Sequence, residues 1–249
     1  MIAAIVTGLL CLAGGCFAQD FLGHWAENPI RVVEWLEDSS EEPTWWMRSG
    51  RGQLWGVPEL PQSLLALGRR QTWVAWQRTG QSVGLWWDDR IVLQWGGANP
   101  WMMPVRLDLR RNGTQGETWP GAAVLSVSPT LMTATGWSFR LKINVIDRRP
   151  LWGQWGWGDR AAVERLSGDW LALAAWRDGA GNQPALAFGV GRRFSSVVGL
   201  IAGYDDAVGE PSLTLIARRG RLLVRTVHAV HPLLGPRHAW EVSLCGWGR

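Results

Sequence analysis

From residue 168 to 249 the hydrophobic and polar positions alternate in short runs. Trp170–Trp176, Ala185–Gly191, Ser195–Tyr204, Ser212–Ala217, Leu222–Val230 and Ala239–Trp247 are separated by turn-forming groups such as Arg177-Asp178-Gly179, Arg192-Arg193, Asp205-Asp206 and Arg218-Arg219-Gly220. Alternation sends successive side chains to opposite faces of a strand, so this region reads as an antiparallel meander. Upstream, the same period runs through Gln71–Arg78, Ser82–Trp87 and Arg90–Trp95, with hairpin turns expected at Thr79-Gly80 and Asp88-Asp89. Pro104–Arg110 precedes Arg111-Asn112-Gly113, the strongest short turn signal in the chain, and Ala122–Ser128 and Gly136–Ile146 follow. In the last strand Trp137, Phe139, Leu141, Ile143 and Val145 form an apolar face, and Ser138, Arg140, Lys142 and Asn144 a polar one.

One stretch has helical character. Asn28 is placed to cap, Pro29 suits the first turn, and Ile30, Val33, Trp35 and Leu36 give an apolar side. Residues 19–50 are expected to form an N-terminal cap around this short helix, and residues 51–249 a single β-domain. Residues 1–18 read as an export signal, because Ile2–Phe17 is uncharged, mostly apolar and short for a bilayer span, and Ala18 is a small residue ahead of Gln19. Leu12-Ala13-Gly14-Gly15-Cys16 offers lipid attachment at Cys16 as the alternative. Cleavage after Ala18 removes Cys11 and Cys16 and leaves Cys245 with no internal disulfide partner.

Alternation fits a soluble β-sandwich, a small propeller or a membrane barrel equally. The second face separates them. Ala185, Ala187, Gly189 and Gly191, then Ser195, Val197, Gly199 and Gly203, form a face of mostly small groups opposite a bulkier one built of Leu186, Phe188, Val190, Val198, Leu200 and Tyr204. Charges are scarce on both, which suits an outward face in lipid and a tightly filled interior. Gly136–Ile146 and Ser195–Tyr204 also reach the ~9–11 residues of a tilted membrane strand.

Gly191-Arg192-Arg193-Phe194-Ser195-Ser196, Gly203-Tyr204-Asp205-Asp206 with Gly209-Glu210-Pro211-Ser212-Leu213, and His231-Pro232-Leu233-Leu234-Gly235-Pro236-Arg237-His238 resemble the closing strands of bacterial outer-membrane β-barrel proteins. The resemblance covers roughly the last third of the chain. It implies an all-β antiparallel meander closing into a small up-and-down barrel in the bacterial outer membrane, with membrane lipid as partner and a structural, assembly or transport role. The alternative is a periplasmic or secreted Trp-rich protein that binds carbohydrate, and after it a glycan-degrading enzyme.

Composition sharpens both readings. The chain has 20 Trp against one Tyr and five Phe, and indole suits surfaces with one apolar and one wet side, such as membrane interfaces and sugar platforms. The formal charge of +4 is carried almost wholly by Arg, with no long basic run, so nucleic acid is not an expected partner. Arg doublets at 69–70, 110–111, 148–149, 192–193 and 218–219 fall at or beside expected turns.

Three constellations could carry chemistry. Trp86-Trp87-Asp88-Asp89 places a carboxylate pair beside indoles, but neighbours in a strand face opposite ways and would not flank one glycosidic bond. Trp152, Trp155 and Trp157, set among glycines, are the candidate ligand-binding residues, with a glycan as the ligand they would stack on. His228, His231 and His238 lack the spacing of a metal trio. No catalytic residue, metal site or cofactor motif is assigned, which weighs against an enzyme.

Overall fold

The computed structural model describes residues 32, 35–36, 44–53, 61–70, 72–80, 87–96, 103–114, 117–118, 121–148, 159–178, 184–206, 209–233 and 235–246. The expected signal at 1–18 and Trp152, Trp155 and Trp157 lie outside these residues. The first strands are β1 (Trp45–Gln53), β2 (Pro61–Arg69), β3 (Thr72–Gly80), β4 (Trp87–Trp95), β5 (Val105–Thr114), β6 (Glu117–Thr118), β7 (Ala122–Val127) and β8 (Thr130–Met132). They are followed by β9 (Trp137–Leu141), β10 (Ile143–Arg148), β11 (Asp159–Ser167), β12 (Trp170–Asp178), β13 (Pro184–Arg193), β14 (Val198–Asp205), β15 (Glu210–Arg219), β16 (Leu222–His231) and β17 (Gly235–Gly246).

Every ladder is antiparallel, and the pairings return on themselves. β1 pairs with β2 on one edge and with β17 on the other, with Trp46 opposite both Gly68 and Cys245. β6, β7 and β8 are successive pieces of one strand, and β9 and β10 are pieces of the next, separated by Lys142. The β9–β10 strand pairs with β7 and β8 on one side, and through β9 with β11 on the other. Counted this way, the seventeen segments among the described residues form fourteen strands, and their pairings run round a closed up-and-down barrel. Pairing on both sides of the strands satisfies backbone hydrogen bonding without water along most of the ladder.

The connections differ at the two ends. At one end, five of the six are tight: residues 70–71, 133–136, 168–169, 194–197 and 220–221. Arg70, Gly168 and Gly220 open the two-residue turns in the left-handed region, with φ of 51°, 57° and 57°. In the turn at 194–197, Ser195 Oγ accepts the amide N–H groups of Val197 and Val198 at 3.2 Å, so β14 starts at Val198 and not at the expected Ser195. At the other end the connections include the longer spans 54–60, 81–86 and 149–158.

Several expectations need correction. Asp88-Asp89 and Arg111-Asn112-Gly113 are strand, not turns: Asp89 lies opposite Arg78 and Arg111, and Gly113 opposite Trp87. Cross-strand ion pairing outweighs the local turn preference there. The face pattern of Gly136–Ile146 holds at Ser138, buried, and at Phe139 and Leu141, exposed. The ladder is interrupted at Lys142, and the alternation changes at Val145, where a register shift occurs in the pairing of β10 with β7. The sheet begins at Trp45, ahead of the expected boundary at 51. The described Arg doublets are split between the two ends, because 69–70, 192–193 and 218–219 sit at the tight-turn end while 110–111 lies toward the other, as does Arg148.

Of the expected cap, residues 45–50 belong to β1, and three residues ahead of it are enclosed by the barrel. Val32, Trp35 and Leu36 are helical and buried, and they pack against Leu171, Ala187, Ile201, Ile216 and Leu223 at the tight-turn end. A second apolar cluster of Trp46, Ala66, Trp73, Ala75, Val92 and Cys245 lines the same end on the adjoining arc of strands, with the Trp46 and Trp73 ring centres 6.3 Å apart. The apolar contacts thus cluster at one mouth of the barrel.

Candidate functional site: a charged lumen inside an apolar wall

Alternation along each strand sorts side chains into an enclosed and an outer series, and the sorting is inverted relative to a soluble protein. Leu65, Leu67, Ile91, Leu109, Leu186, Phe188, Val190, Leu213 and Leu215 are exposed on the outer wall, whereas the enclosed positions carry arginines and carboxylates. An apolar exterior is the surface a barrel turns to hydrocarbon, and a polar interior is the mark of a membrane barrel.

The enclosed charges are arranged around shared carboxylates. Asp108 on β5 is held between Arg90 Nε at 2.8 Å and Arg106 Nε at 2.8 Å. Glu241 on β17 accepts Arg225 Nε at 3.1 Å, lies 2.6 Å from Arg225 Nη2, and is 3.6 Å from Arg48 Nη1 on the other neighbouring strand. Toward the open-loop end, Arg110 Nε donates to Asp88 Oδ1 at 2.6 Å and Arg237 Nη2 to Glu210 Oε1 at 2.5 Å. Arg218 and Glu164 are also buried on enclosed positions. Charge-assisted bonds of this kind hold the guanidinium planes rigid across neighbouring strands. Among the described enclosed residues named here, arginines outnumber carboxylates.

Arginine and tryptophan mark the rims of the outer wall. Near the open-loop end, Arg78 pairs with Asp89 through bonds of 2.7 and 2.6 Å and lies 5.9 Å from the ring centres of both Trp76 and Trp87, while Arg111 lies 5.8 Å from Trp87. Near the tight-turn end, Arg192 stacks on Trp170 at 5.3 Å and Arg165 on Trp137 at 5.0 Å. Trp45 and Trp95 are exposed at that rim as well, and Trp176 toward the other. Two belts of indole separated by exposed aliphatic side chains give the high Trp content a physical role.

The sequence-derived candidates fall as follows. Asp88 faces the lumen and Asp89 the outer wall, so the two carboxylates do not share a site. Trp87 belongs to the outer rim and not to a sugar platform over Asp88. His228 and His238 are cross-strand neighbours with their Nδ1 atoms 2.8 Å apart, while His231 Nδ1 accepts the Leu233 amide N–H at 3.1 Å. Among the described residues, no group of three or more His, Cys, Asp or Glu side chains is placed to hold a metal. The lumenal charges were not singled out from sequence, although Arg106-Leu107-Asp108-Leu109-Arg110 alternates charge with leucine and carries their signal.

No protein-family model and no curated protein matches the chain. Among solved structures, the Acinetobacter baumannii outer membrane protein Omp33 superposes with a TM-score of 0.55 at 7% identity, over 83% of this chain and 100% of that one. The KdgM porin, solved in complex with disordered oligogalacturonate, has a TM-score of 0.41 at 7% identity, over 80% of this chain and 98% of that one. The fold is that of the outer-membrane β-barrel proteins.

Proposed function

We propose that this chain is a bacterial outer-membrane β-barrel protein whose lumen passes small polar solutes, anions in preference to cations. The observation that carries the reading is the inverted sorting of side chains, with exposed aliphatic residues outside and buried arginine–carboxylate pairs inside. The two Trp belts and the likeness to Omp33 support it. The tight-turn end faces the periplasm, since barrels of this class keep short turns there and longer loops outside. Preference for anions follows from the described lumenal charges, where arginines at 48, 90, 106, 110, 218, 225 and 237 outnumber carboxylates at 88, 108, 164, 210 and 241.

Extraction from the outer-membrane fraction only with detergent, together with heat-modifiable gel migration, is the expected behaviour. Recovery in the soluble fraction would overturn the membrane assignment. In planar bilayers under a potassium chloride gradient, the reversal potential is expected on the chloride side; a reversal potential on the potassium side would overturn the anion preference.

A further inference from the structure

We infer that Val32, Trp35 and Leu36 form a plug inside the barrel that sets the width of the passage at its tight-turn end. The inference rests on the passage reading above. Three features of the wall point to it.

The wall is hollowed where the indole sits. A Cβ on Gly199 would lie 2.6 Å from Trp35 Cζ3 and 3.3 Å from Leu36 Cδ2, and one on Gly191 would lie 2.9 Å from Ile201 Cγ1 and 3.3 Å from Trp35 Cη2. Neither glycine has a left-handed backbone, so the strands do not need glycine for their own conformation. Glycine in a strand interior weakens the strand, and close approach of another group is the standard reason to keep it. Ala187, fully buried in the same cluster, continues the hollow on β13.

The lumen is apolar where the plug covers it. Leu171, Ile201, Ile216 and Leu223 come from four strands and converge on the helical residues, while the same enclosed face of β16 continues two residues later with Arg225. Left open, this patch would be apolar surface in a wet channel. Covered, it becomes a seat.

The plug is also latched. Arg193 Nη1 donates to the backbone carbonyls of Trp35 at 3.0 Å and Leu36 at 3.4 Å, while its Nε donates to Asp169 Oδ1 at 3.0 Å. These are charge-assisted bonds from a guanidinium to main-chain carbonyls, which hold the segment against the wall. Asp169 belongs to the exposed turn between β11 and β12, so the latch sits at the rim of the mouth.

Unit conductance of the full-length protein in planar bilayers tests the assignment, with folding of each variant checked by heat-modifiable migration. Trp35→Ala combined with Leu36→Ala is expected to raise the unit conductance severalfold. Arg193→Ala leaves the apolar seat intact and serves if the alanine pair misfolds; it is expected to increase the time spent in the wide state. Wild type and both variants conducting equally would overturn the plug while leaving passage standing. Folded barrels carrying no current in any form would overturn the passage reading itself, and the plug with it.

Discussion

Leu215 offers the most direct test of what surrounds the barrel. It lies midway along β15, opposite Leu200 and Thr226, on the outer series, and is 43% exposed. Replacing it with Arg opens no cavity and breaks no hydrogen bond, so the outcome depends on the medium alone. In water, a surface substitution of this kind is worth within about 0.5 kcal/mol. In the middle of a bilayer, an arginine on the lipid face costs about 2–4 kcal/mol, which is roughly thirtyfold to several hundredfold in the ratio of folded to unfolded protein. Val230 supplies the depth control, since it is exposed on β16 beside the turn at the open-loop end and Val230→Arg is expected to cost only about 0–1 kcal/mol. Reversible urea unfolding from lipid vesicles, followed through the emission of the 20 tryptophans, measures both. A cost at Leu215 below about 0.5 kcal/mol, or equal costs at the two depths, would refute a lipid-facing wall.

Other perturbations probe the interior, a turn and the N-terminus. Asp108→Asn leaves Arg90 and Arg106 facing each other without their shared carboxylate and is expected to destabilise by about 3–5 kcal/mol in the same titration. Gly136 has φ of 80°, and a Cβ there would meet the Leu166 carbonyl oxygen, so Gly136→Ala is expected to cost about 1–3 kcal/mol and to lower the temperature of heat-modified migration. The mature protein is expected to begin near Gln19, and intact-mass analysis showing a lipid on Cys16 would count against that cleavage.

Much of the meander was legible because strand periodicity is local. The hairpin train from Trp170 onward appears as β12 to β17, and the outward direction of Phe139 and Leu141 and the opposed directions of Asp88 and Asp89 follow from alternation alone. The turn signals at Asp88-Asp89 and Arg111-Asn112-Gly113 misled for the complementary reason. Their meaning was set by partners on other strands, Arg110 for Asp88, Arg78 for Asp89 and Trp87 for Gly113, which no window of sequence contains. Closure lies further still from local information, since β1 meets β17 across nearly the whole chain, and that pairing is what brings Arg48 to Glu241 and Arg225. The small face of β13 and β14 was visible as a run of alanine and glycine, but its cause was not. Only the folded barrel brings Trp35 against Gly199, because a glycine kept to make room is explained by the group that fills the room, and here that group lies more than 150 residues away along the chain.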